Sequence, residues 1–343
     1  MLSDDDAVLA RALFAAGYAP RPHQWGAPVS RDATVIIRST WDYVDRPALF
    51  HAWLDHLDRQ HATVHNRTDL LRWNMHKSYL DELAGAGLPV VPTLLLPRGS
   101  AVNLERLVDD HGWHDAVVKP AIGGTARLTA HVGRIGPRRA QQHLDAILAH
   151  EDALVQPFLP SIEDLGETSV IAIAGRITHA VAKRAASGDW RVQSDFGGSA
   201  DRVPVTHELH NVARQILDPL TPAPLYARID LVRDLDGRLA LLELELVEPE
   251  LFFGLAPEAA VSWPRTSRNS DGGRRRRTAR RSEAPRTGRQ AHEQSAAYEG
   301  VVRRTEFSCG ARARRPSGRR PPGWWRWARR RLTDGGRCRR VRW

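Results

Sequence analysis

Tyr226-Ala227-Arg228-Ile229-Asp230-Leu231-Val232 and Leu239-Ala240-Leu241-Leu242-Glu243-Leu244-Glu245-Leu246-Val247 decide how this chain is read. Two largely apolar runs, separated by a turn ending in Asp236-Gly237, predict a β-hairpin with strands at 225–232 and 239–247. Successive side chains on a strand point to opposite faces. Tyr226, Arg228 and Asp230 therefore share one face, and Glu243 and Glu245 share a face opposite Leu242, Leu244 and Leu246. Three carboxylates beside an arginine supply hard oxygen donors of the kind that hold magnesium next to phosphate. The same spacing also describes the solvated face of an edge hairpin, and the hairpin alone does not separate the two.

Upstream, residues 6–17 read as a helix and Val35-Ile36-Ile37 as a short strand. Polar Arg38-Ser39-Thr40-Trp41-Asp42-Tyr43 follows it. Helices at 47–59 and 75–86 flank a strand at 62–65, an alternation that predicts an α/β unit. From residue 88 the order changes. Strands are expected at 90–96, 116–119, 153–158, 168–174, 177–184 and 190–194, and helices at 103–111, 138–149 and 206–216. That arrangement predicts α+β.

Three further segments carry chemistry. In Val117-Val118-Lys119-Pro120-Ala121-Ile122-Gly123-Gly124-Thr125 a lysine ends an apolar strand before a glycine turn. Glycines let backbone N–H groups close on phosphate oxygens, and the lysine adds a point charge; strand-turn glycines are also common with no ligand. Gln156-Pro157-Phe158 followed by Gly166-Glu167 could line an adenine slot with Glu167 at the ribose, or be an ordinary crossover between lobes. Lys183 and Arg191 are expected on adjacent strands, ahead of the glycine loop Phe196-Gly197-Gly198-Ser199; a solvated basic surface is the alternative.

The order Lys77, Lys119, Gln156 to Phe158, Glu167, Lys183, Arg228, Asp230, Glu243, Glu245 resembles the ATP-grasp ligase superfamily over about residues 30–258. Within it the chain is most similar to the glutathione-synthetase-like and cycloserine-synthetase-like branch. Arg38–Tyr43, Arg72-Trp73-Asn74-Met75-His76-Lys77 and Glu243-Leu244-Glu245-Leu246-Val247-Glu248-Pro249 carry that nearer likeness. The resemblance implies an ATP-grasp fold behind an N-terminal α/β (pre-ATP-grasp) domain. The domains would be 1–86 on the substrate side and 87–260 for the ATP-grasp unit, with two lobes hinged near 156–166. It implies that Lys77 and Lys119 contact ATP phosphates, with Lys183 near the nucleotide. Gly123, Gly124 and Thr125 would form a lid. Gln156, Pro157 and Phe158 would lie at the adenine, and Glu167 at the ribose. Asp230, Glu243 and Glu245 would bind two Mg²⁺ ions. Arg228 and Arg191 would stabilise charge on the transferred phosphoryl group. Many members have asparagine where this chain has Glu245, which makes this site more negative. The implied reaction activates a carboxylate of an amino-acid-like substrate as an acyl phosphate and joins it to an amine or similar nucleophile. Arg38, Ser39, Thr40 and Asp42 are the expected substrate contacts.

Composition divides the chain. The net charge of +10 combines about −9 over residues 1–260 with about +19 over 261–343. The last segment holds 25 arginines, no lysine and no isoleucine. It lacks the aliphatic content to offset chain entropy and is expected to be disordered. Arginine, glycine, proline, alanine and tryptophan all have GC-rich codons, and with the abrupt onset the expectation is that residues from about 261 are a frameshift product. A competing reading is nucleic-acid binding through this tail by phosphate contacts and stacking, expected to be nonspecific. Family members usually open with a strand before the first helix, so the N-terminal sheet is expected to lack one. The protein is then a truncated or inactive member on a second reading. Two cysteines, Cys309 and Cys338, make neither a disulfide framework nor a cysteine zinc site. No apolar run has a membrane helix's length, and the acidic start lacks a signal peptide's features. A cytoplasmic protein, possible as a homo-oligomer, is the expectation.

Overall fold

The computed structural model describes residues 2–262. The arginine-rich tail, both cysteines included, lies outside the described residues from residue 263 onward.

The chain begins with α1 (Asp4–Ala15), capped by Ser3, whose side chain accepts the Asp6 N–H. Three acids in its first turn oppose the helix dipole favourably. β1 (Thr34–Ile36), α2 (Pro47–Arg59) and β2 (Thr63–His65) follow, with β1 and β2 parallel. Phe50, Trp53, Leu54 and Leu57 on one face of α2 pack on Tyr43, Val64 and Leu71. Each fully buried side chain of this size contributes roughly 1.5–3 kcal/mol. α3 (Thr68–Met75) and α4 (Tyr79–Gly85) replace the single helix expected at 75–86. The helix breaks because His76 is extended (φ −107°, ψ 124°), which frees Lys77 to leave the helical path.

The next layer is β3 (Leu94–Leu96), α5 (Leu104–Asp110), β4 (Ala116–Pro120), β5 (Ala130–His131), α6 (Val132–Ile135), α7 (Pro137–Leu148) and β6 (Ala153–Pro157). These strands form an antiparallel sheet in the order β3-β6-β4-β5. Ala140, Leu144, Ile147 and Leu148 of α7 cover one side of it. The expected strand at 90–96 shortens to Leu94–Leu96, because Val90 instead bridges Leu241.

After α8 (Ser161–Asp164) come β7 (Glu167–Ile173), β8 (Arg176–Arg184), β9 (Ser199–Val203), α9 (His207–Leu217), β10 (Tyr226–Arg233) and β11 (Leu239–Glu245). They build a second antiparallel sheet, ordered β11-β10-β7-β8-β9. Thr206 caps α9, whose buried face (Leu209, Ala213, Ile216, Leu217) lies on this sheet. The Asp234–Gly237 turn closes as read, with Gly237 at φ +78°. No strand forms at 190–194. The Asp189 carboxylate accepts the N–H groups of Trp190 and Arg191, which a ladder would need. The neighbour of β8 is β9, so Lys183 and Arg191 are not on adjacent strands. The architecture is the α/β plus α+β arrangement read from sequence. Among the described residues, no helix is long and apolar enough to cross a membrane.

Candidate active site

The hairpin supplies the first half of the site. β10 and β11 pair Arg228 with Glu245 and Asp230 with Glu243, then shift register so that Leu231 meets Leu241. This irregularity leaves Leu242 as the extra residue. The four charged side chains stand on one face, and the solvated-face alternative does not hold: Asp230 is only 3% exposed. Arg228 Nε donates to the Asp230 oxygens at 3.0 and 3.1 Å, and its Nη2 donates to Asp230 Oδ2 at 3.0 Å. Arg228 also pairs with Glu245. Ser169 Oγ donates to Asp230 at 2.5 Å.

The second half comes from three lysines. Lys77, in the α3–α4 break, donates from Nζ to Gly123 O at 2.6 Å and pairs with Glu243 at 2.9 Å. Lys119, next to last on β4, lines the same cleft. Lys183 on β8 stands opposite Glu167 on β7, pairs with it, and lies 3.4 Å from Asp230. The chain has 3 lysines among 50 basic residues. All three line a single cleft of about 920 Å³, together with Asp230, Glu243 and Glu245. That concentration of lysine was a signal available in the sequence.

Burial and charge work against each other here. Burial pushes the Glu243 carboxyl up, but Lys77 and Lys119 outweigh it and hold the pKa below its ordinary value. Burial likewise opposes ionisation of Asp230, and Arg228 and Lys183 overcome it. Burial acts against the Lys183 ammonium, yet Asp230 and Glu167 hold its pKa above the usual value. Burial lowers Lys119, with Glu243 only partly restoring it. Burial dominates at Glu167 and at Glu245, lifting each to about 7 against the pull of Lys183 and of Arg228 respectively. Among the described residues, no three such side chains converge as a ready metal cluster; each hairpin carboxylate is instead paired with a cation.

Gly123, Gly124 and Thr125 line the cleft as the loop after β4. Thr125, Ala126 and Leu128 take positive φ, and Arg127 ties the loop to Asp45 at 3.2 Å and Glu151 at 2.9 Å. Gln156 and Pro157 line the cleft, with Gln156 donating to Thr93 Oγ1 at 2.8 Å. Phe158 is not among the lining residues. Its ring stacks on His131 at 3.8 Å, and Trp190, which does line the cleft, meets both edge-on. Arg191 lines the cleft but is held by Asp189 at 2.7 Å and lies over Phe196.

Arg38 and Ser39 reach the cleft, whereas Thr40 and Asp42 are not among its lining residues. The 3₁₀ turn at Trp41–Asp45 rotates Asp42 outward to Arg46 and Trp25. Arg38 pairs with Asp5 and Asp6 at 2.8 Å each, and Ser39 donates to Asp6. Asp4, Asp5, Glu248 and Glu250, unassigned from the sequence, also line the cleft. Burial, then Glu245, raises Glu248 well above the usual carboxylate range. The acidic run at the N-terminus was the visible signal for Asp5, but its partner lies 33 residues away.

Residues 1–66 match the family model described as D-cycloserine synthetase DcsG, N-terminal domain. The cycloserine biosynthesis protein DcsG of Streptomyces lavendulae is 30% identical over 247 residues, covering 68% of this chain and 81% of that protein. The crystal structure of D-cycloserine synthetase DcsG superposes with a TM-score of 0.69 at 27% identity, covering 76% of this chain and 93% of that one. A RimK domain protein ATP-grasp from Sphaerobacter thermophilus shares the fold, with a TM-score of 0.54 at 16% identity over 77% and 94% of the two chains. With this fold, this cleft and these similarities, the chain belongs to the ATP-grasp superfamily of ADP-forming ligases, as a cycloserine-synthetase-like member.

Proposed function

We propose that the cleft activates the carboxylate of an amino-acid-like small molecule as an acyl phosphate at the expense of ATP, then joins it to an amine or similar nucleophile. The observation that carries this reading is the gathering of all three lysines and three hairpin carboxylates on one cleft. Lys77, Lys119 and Lys183 are the phosphate-facing cations. Gln156 and Pro157 wall the adenine end with Trp190 nearby, and Glu167 accepts from the ribose. Phe158 supports that wall through His131 rather than touching the base. Residues 1–86 form the substrate side and 87–260 the ATP-grasp unit, with the crossover near 156–166 as the hinge.

The donor set fits magnesium: Asp230, Glu243 and Glu245 offer only hard oxygens beside cations suited to phosphate. Two bound ions would neutralise charge on the phosphates. The chain's own groups do the rest. Arg228 faces the charge that develops as a substrate carboxylate oxygen forms a bond to the γ-phosphorus and ADP departs. Arg191 joins it after exchanging Asp189 for phosphate. The amine nitrogen then bonds the acyl carbon, inorganic phosphate leaves, and the nitrogen gives up a proton. The Gly123–Thr125 loop keeps water from the acyl phosphate. Arg38 and Ser39 contact the substrate, and Thr40 and Asp42 shape the turn beneath them.

Measuring ADP release over a panel of amino acids and amines tests the proposal, with Glu243→Gln as the reference. Amine-dependent ADP formation that falls at least about tenfold in Glu243→Gln is the expected outcome. A wild-type chain that binds no ATP·Mg, or activity indifferent to that substitution, overturns it.

A further inference from the structure

β11 is the outer strand of the five-stranded sheet, and among the described residues, beyond the single bridge of Val90 to Leu241, no strand pairs with its outer side. Open edges of this kind leave N–H and C=O groups unpaired. At Leu241 the outward groups pair with the backbone of Pro89 and Val91, but from Leu244 onward they are taken up one after another by side chains of the N-terminal segment. Tyr79 Oη accepts the Leu244 N–H at 3.0 Å and lies 2.9 Å from Leu244 O. Asn74 Nδ2 donates to Leu244 O at 2.8 Å, while its Oδ1 accepts the Leu246 N–H at 2.8 Å. Asn66 Nδ2 closes the row on Leu246 O at 2.8 Å. Asn74 and Tyr79 are buried, at 7% and 1% exposure, and no strand or helix hydrogen bond requires them to face this edge.

The residues these bonds hold alternate with Glu243 and Glu245, whose side chains face the cleft. Lys77 lies between Asn74 and Tyr79 in sequence and grips the Glu243 carboxylate. One three-point contact from the α3–α4 break therefore sets the height, tilt and charge of the strand end. On its other side that end stays in register with β10, Glu243, Leu244 and Glu245 facing Asp230, Ile229 and Arg228. We propose that Asn74 and Tyr79 are positioning residues for the metal-binding carboxylates, acting through the β11 backbone. The side-chain amide of Asn74 takes the place of a peptide group from a sixth strand. This inference rests on the reading that Glu243 and Glu245 hold magnesium. It goes beyond that reading in assigning the site's geometry to side chains whose hydrogen bonds are to the β11 backbone.

The test uses the full chain with Mn²⁺ as the spectroscopic probe, free Mn²⁺ being followed by electron paramagnetic resonance in the presence of ADP. Tyr79→Phe deletes one oxygen and keeps the ring. Asn74→Asp keeps the shape but replaces the donor to Leu244 O with an acceptor. Expected are Mn²⁺ affinities lowered roughly 3–10-fold by Tyr79→Phe and at least about tenfold by Asn74→Asp. ADP affinity measured in excess chelator should stay within about twofold of wild type, since a general loosening of the fold would weaken both ligands. Amide exchange at Leu244 should quicken in Tyr79→Phe while Leu246 stays protected. If Asn74→Asp does not fold, the Tyr79→Phe arm decides alone. Wild-type Mn²⁺ affinity in the folded variants, with Mn²⁺ binding lost in Glu243→Gln, overturns the positioning role. Mn²⁺ binding that survives Glu243→Gln overturns the metal site itself.

Discussion

Arg228→Met is the substitution whose outcome the structure constrains most tightly. The Arg228 side chain is 12% exposed and neutralises two carboxylates at once, the side chains of Asp230 and Glu245 being 4% and 25% exposed. Methionine keeps most of the apolar stem volume but removes the charge. Breaking a buried pair from one side costs about 3–5 kcal/mol. Asp230 would retain Ser169 and the more distant Lys183 on Oδ1, while Oδ2 loses both of its donors. Glu245, a quarter exposed, turns toward water or takes up a proton, since its pKa is already raised to about 7. The cost therefore falls at the lower end, about 3 kcal/mol. For a domain of this size that lowers Tm by roughly 6–12 °C in the absence of divalent metal. Magnesium would then meet carboxylates no longer held by arginine, and about 2.7 kcal/mol is recovered at a hundred times Kd. The Tm gain on adding Mg²⁺ should thus be larger in the variant than in wild type, while ADP formation falls. Differential scanning fluorimetry with and without Mg²⁺ reads both effects. Arg233→Met, which breaks the exposed pair with Glu208, serves as control and should cost less than about 1 kcal/mol. A variant within about 2 °C of wild type without metal, or one that gains no more from Mg²⁺, refutes the account.

The remaining predictions concern packing, backbone and proton. Gly166 sits at φ +78°, and an added Cβ would lie 2.0 Å from Lys183 O. Gly166→Ala should cost more than about 2 kcal/mol, whereas Gly237→Ala, at the same φ with nothing within 4 Å, should cost about 1–2 kcal/mol; urea melts compare them. Phe50→Ala removes a ring of 0% exposure set among Trp25, Tyr43 and Trp53, and should cost about 3–5 kcal/mol in the same assay. With its pKa near 7, Glu167 is a carboxylate only above that pH, so ADP affinity should rise between about pH 6 and about pH 8 and become flat in Glu167→Gln. Because the folded-state pKa is raised, Glu167 subtracts stability as pH climbs from about 4 to about 7, and Glu167→Gln should be relatively more stable above that window.

Local rules reached much of this molecule. Two-residue alternation around Asp236-Gly237 determined the hairpin, and with it the shared face of Arg228, Asp230, Glu243 and Glu245. Helical spacing and the Thr206 cap determined α9, and the apolar stripe of α2 determined which side it buries. These features depend on side chains a few residues apart, where backbone geometry alone sets who is neighbour to whom. The tertiary structure decided what lies across larger separations. Local pattern predicts a strand at Arg191, since nothing in Gly188-Asp189-Trp190-Arg191 marks the Asp189 carboxylate as the acceptor of its neighbours' N–H groups. Asp42 is expected at the cleft from its place just after a strand, but the 3₁₀ turn in the following loop carries it outward to Trp25 and Arg46. Arg38 finds Asp5 and Asp6 only when α1 folds back over β1. Asn74 and Tyr79 reach β11 across separations of 165–172 residues. A strand's inner face follows from its own alternation, but the closing of its outer edge depends on where the rest of the chain comes to lie.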